Sequence, residues 1–274
     1  MKRNSIQHRS RGGIWVTLGV VAVLAVAVAL AIGYSQLRAL YLEQCVITDL
    51  SEQVEITSGK MIKPDVIAYE FGLRKDANLA EIDFEEKREK ILRKIPTLRA
   101  ISVTRHLPGR VVIRAEERTP VVRLGVSGQR GASDRVADAE GVVFNCVRGT
   151  RSLPLVREAP ARGPATPPGR RLKGRARAAL DLVLLCRESD YADLVLLDVD
   201  TAKTDFLVAT LGDYSRVKIC WDGMDDATPA SRAALAARLD LLAKALRANC
   251  DGLKARVWNA TLPDYVFADT QEKP

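Results

Sequence analysis

The sequence predicts an α+β protein that has a single N-terminal transmembrane helix followed by two mixed domains. Three observations support this prediction. Residues 14–34 form an uncharged apolar run, a strand–helix–helix–strand–strand pattern follows it, and the rest of the chain combines short strand patterns with one long leucine-striped helix. Layers of helices packed on sheets are the stable way to bury such patterns, so we expect a small α+β domain and a second, β-rich domain.

The apolar run reads IWVTLGVVAVLAVAVALAIGY and contains no charged residue. A hydrocarbon core of about 30 Å needs roughly 20 apolar residues in a helix, because only a helix satisfies its own backbone groups where water is absent. We therefore predict a transmembrane helix at 14–34. Good helix formers in Ser35–Gln44 predict that the helix continues outward.

The charges that flank the run predict its orientation. Residues 1–13 contain no acidic residue and four basic ones, Lys2, Arg3, Arg9 and Arg11. After the run, Arg38 is offset by Glu43 and Asp49. By the positive-inside rule the tail 1–13 stays in the cytoplasm, and the chain from Ser35 onward lies outside the membrane.

A cleaved signal peptide is the alternative, because Ala29-Leu30-Ala31 fits a small-x-small cleavage site after a basic start. The apolar run is longer than the usual signal core of about 7 to 15 residues. This length favours a membrane anchor.

Composition limits the function classes. The chain has 274 residues, 47% of them hydrophobic and 28% charged, which is enough for folded domains beyond one helix. The net charge of +8 includes four basic residues of the tail, so the excess elsewhere is mild. Nucleic-acid binding usually requires a dense basic face, and we expect no such partner.

The first domain begins with a strand pattern and two helix patterns. Val54–Thr57 alternates as a half-buried strand does, and Lys63–Phe71 has a proline in its first turn and a glycine just after its end. The next helix follows Asp83, a capping residue with Glu86 three positions later, and it ends at Pro96.

A hairpin completes this domain. Ala100–His106 and Arg110–Glu116 predict two strands around the turn Pro108-Gly109. Three strands and two helices give a sheet with an exposed edge.

The second domain is rich in strand patterns. They are Val121–Val126, Arg135–Asp138, Val142–Phe144, Val195–Asp198, Phe206–Leu211, Arg216–Cys220, Leu253–Asn259 and Asp264–Ala268. Arg175–Arg187 predicts a helix, and a longer one begins at the cap Thr228 and ends near Gly252. The leucine stripe of the longer helix predicts core packing.

Residues 157–177 contain four prolines and seven basic residues against one acidic residue. This composition predicts an exposed, solvated loop. Contact with anionic lipid head groups or wall polymers is the alternative reading.

No catalytic motif stands out. The two histidines are His8, in the tail, and His106, at a strand end, and the five cysteines follow no zinc-ligand spacing. We expect buried free thiols, although a disulfide remains open.

The acidic pairs Asp198/Asp200 and Asp225/Asp226 suit capping or solvation better than acid–base chemistry. We therefore expect no enzyme, no catalytic residue, no metal and no cofactor.

Several short motifs follow one another along the chain in a specific order and spacing. They are Asn78-Leu79, Ile82-Asp83, Ile95-Pro96, Val103 with Arg105, Leu107-Pro108, Glu117-Arg118 with Pro120-Val121, VADAEGVVF at 136–144, and Leu153-Pro154-Leu155. Together they resemble the FtsQ/DivIB cell-division proteins. The family often has Asp-Leu-Arg after the long helix, where this chain has Lys254-Ala255-Arg256.

The resemblance implies an organisation for the whole chain. It predicts a cytoplasmic tail at 1–13, a transmembrane helix at 14–34, a juxtamembrane helix at 35–50, a POTRA domain (β-α-α-β-β) at 51–118, an FtsQ-type β domain at 119–268 and a short tail at 269–274.

The resemblance also implies a function. It predicts a non-catalytic scaffold in the inner membrane at the division septum, which binds partners resembling FtsB/DivIC and FtsL and helps control septal peptidoglycan synthesis. Partner binding next to the last strands makes Trp258, Tyr265, Val266 and Phe267 the candidate contact residues. A POTRA-type envelope chaperone or transport module, or a cell-wall hydrolase, are the alternatives.

Overall fold

The computed structural model describes residues 11–106, 108–129, 131–159, 164–191, 193–248 and 257–268, and it describes side chains in the first helix only from Gly19. The α+β class is confirmed. The helices are α1 (Arg11–Gln44), α2 (Leu50–Gln53), α3 (Pro64–Phe71), α4 (Phe84–Lys94), α5 (Gly174–Cys186) and α6 (Pro229–Ala248), with a short 3-10 helix at Ser189–Tyr191. The strands are β1 (Val54–Thr57), β2 (Leu98–His106), β3 (Arg110–Glu117), β4 (Val122–Val126), β5 (Arg135–Ala137), β6 (Val143–Asn145), β7 (Leu155–Glu158), β8 (Leu196–Asp200), β9 (Leu207–Leu211), β10 (Arg216–Ile219), β11 (Val257–Ala260) and β12 (Phe267–Ala268).

The described residues divide into two compact units. One unit contains Pro64–Lys87 and Ser102–Arg114 together with the chain up to Thr57. The other contains Ser58–Lys63 and Arg88–Ile101 together with the chain from Ala115 onward.

Helix α1 is one continuous element of 34 residues. It includes the predicted span, and the predicted continuation over Ser35–Gln44 is helical as well. Of the helices that the structure describes, α1 alone is long and apolar enough to cross a membrane, over Gly19–Gln44. The predicted tail lies outside the described residues up to position 10, and its last three residues already belong to the helix.

The end of α1 is fixed to the first unit by backbone hydrogen bonds. The N–H of Ile47 donates to the carbonyl of Ala77 (2.9 Å), and the N–H of Leu79 donates to the carbonyl of Cys45 (2.9 Å). The side-chain amide of Asn78 donates to the carbonyl of Leu42 (3.1 Å). Because Cys45 and Ile47 are also fully buried, the helix joins this unit without a free linker.

The smaller sheet has the strand order β1-β3-β2, with β1 parallel to β3. The predicted cap of α4 is present, because the N–H of Glu86 donates to the carboxylate of Asp83 (3.0 Å). Phe84, the first residue of α4, packs its ring against Phe71 with a centroid distance of 5.7 Å. The guanidinium of Arg105 lies 4.5 Å above the Phe84 ring.

The larger sheet has nine strands in the order β12-β11-β10-β9-β8-β7-β4-β5-β6. Its core combines strand residues with α5 and α6, including Leu180 and Val183 from α5 and Leu235 and Leu239 from α6. The predicted cap of α6 is present, because the hydroxyl of Thr228 accepts from the N–H of Ser231 (3.1 Å). The predicted end of this helix near Gly252 lies outside the described residues.

Glu117, the last residue of β3, and Arg118, which follows it, hold together parts of the second unit that are distant in sequence. We call these two residues the clamp. The carboxylate of Glu117 accepts hydrogen bonds from the backbone N–H groups of Lys60, Met61 and Ile62 at 2.7–3.0 Å. A Cβ on the neighbouring Gly59 would lie 2.1 Å from an oxygen of this carboxylate, so a larger residue there would displace the Glu117 side chain. Glu117 therefore holds the loop that leads into α3.

Arg118 holds the other side of the clamp. Its guanidinium donates to the carbonyl of Pro96 (3.1 Å) and pairs with the carboxylate of Asp138 (2.6 Å). Asp138 in turn accepts from the N–H of Val142 (2.8 Å). Both charged side chains are largely buried, so the pair fixes the hairpin of β5 and β6 against the start of β2.

The prediction of an exposed basic loop at residues 157–177 is wrong at both ends of this range, where the structure has a strand and a helix. Arg157 and Glu158 belong to β7, in the interior of the sheet, and α5 already begins at Gly174. Arg157 pairs with Asp198 (2.6 Å) and Glu158 with Arg135 (2.8 Å), so these charges are neutralised by long-range partners. Residues 160–163 lie outside the described part.

Replacing Arg118 by alanine leaves the carboxylate of Asp138 buried without its partner guanidinium. Breaking a buried ion pair in this way costs about 3 to 5 kcal/mol, so we expect a loss of that size in the free energy of unfolding. Chemical unfolding of the full-length protein in detergent measures it.

Arg99→Ala is the matched control for this change. Arg99 also pairs with two carboxylates, Glu116 at 3.1 Å and Glu140 at 3.2 Å, but its side chain is mostly exposed. Exposed pairs contribute about 1 kcal/mol or less. Equal losses for the two variants would contradict the clamp.

Candidate partner-binding edge

The nine-stranded sheet ends at β12 on its C-terminal side. Strand β11 lies parallel to β10 and antiparallel to β12, with Trp258 opposite Ala268 and Asn259 opposite Phe267. Within the described residues no strand follows β12 in this sheet. We call Tyr265–Ala268 the C-terminal edge.

The opposite border of the sheet is covered by its own chain. The N–H of Val143 in β6 donates to the carbonyl of Arg170 (2.9 Å), and its carbonyl accepts from the N–H of Gly169 (2.8 Å). The N–H of Leu172 donates to the carbonyl of Gly141 (2.8 Å). Since the segment 169–172 occupies these backbone groups, that border has less to offer a partner than the C-terminal edge.

Side chains alternate along the C-terminal edge. Tyr265 is 56% exposed and Phe267 is 38% exposed, and their rings lie 5.9 Å apart in a tilted arrangement. Val266, between them, packs against the core of the unit. This is the two-residue period of a strand, and it presents two of the four candidate residues to solvent.

Trp258 occupies a different environment from the other candidates. It is only 6% exposed and belongs to the core formed by the sheet, α5 and α6. Its ring is therefore not a surface anchor in this structure but part of the core. Alternation predicts which residues share a face, but the sequence alone does not show which face is buried.

Arg238 supports the chain that leads into the edge, and sequence reasoning missed it. It lies in α6 and is largely buried, and its guanidinium donates to the carbonyl of Leu262. Next to it, the thiol of Cys220 donates to the carbonyl of Thr261 (3.2 Å). Its position in the sequence could have indicated this burial, because Arg238 falls three residues after Leu235 on the buried stripe of the helix.

The acidic pairs have structural partners. Asp198 pairs with Arg157, and Asp200 accepts from the hydroxyl of Ser127 (2.8 Å). Asp225 pairs with Arg175 (2.7 Å) in the turn before α6. Burial raises the pKa of Asp198 above its ordinary value, while the hydrogen bond from Arg157 opposes the rise. These contacts bind strands and turns to one another.

The cysteines also have ordinary surroundings. Cys45, Cys146 and Cys186 are buried free thiols and Cys220 is a half-buried one, whereas Cys250 lies outside the described residues. Burial raises the pKa of Cys186 to about 12, which keeps it protonated at neutral pH. In the described ranges no three His, Cys, Asp or Glu side chains form a group that could hold a metal ion.

Two alanine substitutions distinguish core from surface among the candidates. Trp258→Ala removes a large buried side chain, so we expect a loss of about 3 to 5 kcal/mol in the free energy of unfolding. Tyr265→Ala changes an exposed side chain, and we expect a change within about 0.5 kcal/mol. Urea unfolding measures both, and a large loss for Tyr265→Ala would show that its ring is part of the core.

One comparison with known proteins identifies a domain. Residues 51–118 match the family model described as POTRA domain, FtsQ-type. The match begins within α2 and continues through the smaller sheet to Arg118, the second residue of the clamp. No curated protein gives a significant match.

The match confirms the family resemblance over residues 51–118. Proteins with FtsQ-type POTRA domains are generally non-catalytic, and the domain is associated with cell division. The match supports a division-associated POTRA protein, and within the described residues α1 is its candidate membrane-spanning helix. Residues 51–118 are therefore a POTRA domain of the FtsQ type, which supports the assignment of this chain to the FtsQ/DivIB family.

Proposed function

We propose that the protein is a non-catalytic, single-pass scaffold of the bacterial division machinery. Its N-terminus lies in the cytoplasm, and its POTRA and β domains lie on the periplasmic side of the inner membrane, at the division septum. The apolar helix, the basic residues before it and the FtsQ-type domain support this proposal.

The proposed work of the scaffold is to recruit other division proteins. Partners resembling FtsB/DivIC and FtsL bind to it, and the assembly helps control the synthases that build septal peptidoglycan. The observation that carries this proposal is the C-terminal edge, which ends the larger sheet within the described residues and exposes the rings of Tyr265 and Phe267.

Strand addition explains how such an edge binds a chain. An extended partner segment next to β12 gains main-chain hydrogen bonds, which supply affinity independent of sequence. Tyr265 and Phe267 supply specificity, because aromatic rings bury a large area at a small entropic cost. Val266 contacts the core, so the strand keeps its position when the partner arrives.

Depletion of the protein tests the division role directly. In cells without a second copy of the gene, we expect depletion to block septation and produce long, undivided cells, and we expect a fluorescent fusion to concentrate at midcell. Microscopy measures both. Normal septation would refute the division role, and an even distribution around the envelope would favour the chaperone or transport alternative.

The C-terminal edge is tested by removing its exposed rings. Removal of an interface hot spot costs about 2 kcal/mol or more, so we expect Tyr265→Ala with Phe267→Ala to lower partner recovery about tenfold or more. Co-purification of the full-length protein from solubilised membranes measures recovery.

Tyr214→Ala is the matched control. Tyr214 is 80% exposed in the turn between β9 and β10, away from the edge in sequence. We expect full partner recovery from this variant. Equal recovery from the edge variant and the control would place the partner elsewhere.

A further inference from the structure

Three basic side chains lie near the point where α1 leaves its apolar run. Arg38 is the first charged residue after the run, and Arg74 and Lys75 lie in the loop that follows α3. All three are exposed, and within the described residues none of them pairs with a carboxylate. We call these three residues the basic site.

Hydrogen bonds hold this loop at the end of α1. The N–H of Asp76 donates to the carbonyl of Ile47 (2.9 Å), and the N–H of Ile47 donates to the carbonyl of Ala77 (2.9 Å). The side chain of Asn78 reaches back along the helix to the carbonyl of Leu42 (3.1 Å). The helix and the loop belong to the same compact unit, so α1 sets the position of the loop relative to a membrane.

The height of the basic site above the bilayer follows from the length of α1. At about 1.5 Å per residue, Arg38 lies about 6 Å beyond Tyr34, where the apolar run ends, and Leu42 lies about 12 Å beyond it. The head groups form a layer about 5 to 8 Å thick on each side of the hydrocarbon core. Arg38 therefore lies within this layer. The loop is anchored within about 10 Å of it, which is about one Debye length at 0.1 M ionic strength.

Arg38 and the loop lie on the same side of α1. At 100° per residue, Arg38 lies about 40° around the helix from Leu42, whose carbonyl contacts the loop. Glu43, the one acidic residue of the helix, lies about 140° away from Arg38. Among Arg38 and residues 74–77, three basic residues stand against the single acidic residue Asp76, which leaves an excess of two positive charges on this side.

We infer that the basic site binds the phosphate groups of anionic lipids in the membrane leaflet that faces the POTRA domain. This inference rests on the proposed membrane anchor. Arg38 holds a head group next to the helix, because a guanidinium donates two parallel hydrogen bonds to a phosphate. Arg74 and Lys75 attract further head groups beneath the domain, since basic residues close to a bilayer surface bind anionic lipids.

Quenching of tryptophan fluorescence by brominated lipids tests the inference on the full-length protein in vesicles. Tyr34 is 70% exposed at the outer end of the apolar run, and Tyr34→Trp places a probe there, where either ring is favoured. The vesicles contain equal amounts of phosphatidylglycerol and phosphatidylcholine, and one of the two at a time carries bromine in its acyl chains. The chain without this substitution, which contains Trp15, Trp221 and Trp258, gives the background.

We expect the quenching to give a relative affinity of about threefold or more for phosphatidylglycerol over phosphatidylcholine. The preference disappears in about 1 M salt, where the Debye length falls to about 3 Å. Combining Arg38→Gln, Arg74→Gln and Lys75→Gln removes it as well, because the three charges of the basic site are lost.

A matched control variant combines Arg148→Gln, Arg151→Gln and Lys203→Gln. These residues are exposed and belong to the other compact unit, so the change in net charge is the same but the basic site is intact. We expect this variant to keep the full preference for phosphatidylglycerol. An equal loss in both variants would overturn the inference, because overall charge would then attract the lipid.

The quenching also separates this inference from the membrane anchor on which it rests. Equal quenching by the two brominated lipids would overturn the basic site and leave the anchor intact, because the probe would contact lipid without preference. Absence of quenching by either lipid would show that α1 lies outside the bilayer, and both the anchor and the basic site would be refuted.

Discussion

Every backbone N–H and C=O group needs a hydrogen-bond partner, and this requirement governs both ends of the protein. At the N-terminal end, α1 satisfies its backbone within itself, which is why a helix can lie where water is absent. At the other end, β12 pairs with β11 on one side and faces solvent on the other within the described residues. The first arrangement suits an anchor, and the second suits a docking surface.

The clamp of Glu117 and Arg118 gives a physical reason for two motifs that carry the family resemblance. One motif is the Glu-Arg pair itself, and the other is the hairpin that contains Asp138 and Gly141. In the structure they meet, because Arg118 pairs with Asp138 and the N–H of Gly141 closes the turn on the Asp138 carbonyl (3.0 Å). The left-handed backbone of Gly141 (φ 81°) makes this turn possible.

Local signals predicted most of the elements. The caps at Asp83 and Thr228 and the strand Val54–Thr57 lie where the sequence indicated, because each depends on residues a few positions apart. Strand β7 was missed, because its two charged residues looked like part of a solvated loop. Their partners Asp198 and Arg135 are distant in sequence, and only the folded sheet brings them together.

The candidate edge was predictable in part. The alternation over Tyr265–Phe267 indicated a strand, but the burial of Trp258 and the support from Arg238 depend on how α6 packs on the sheet. The pairing of β11 with β10 is parallel and joins segments separated by the whole of α6, so no turn signal marks it. Non-local pairing of this kind determines which strand forms the border of the sheet.

Amide hydrogen exchange at the C-terminal edge tests the central claim most directly. The full-length protein is measured alone and in the complex isolated with its co-purifying membrane partners. Strand addition predicts that those amides of Val266–Ala268 that point away from β11 exchange at least about tenfold more slowly in the complex, because new main-chain hydrogen bonds to the partner protect them. Unchanged exchange at these amides, with partners bound, would contradict docking at this edge.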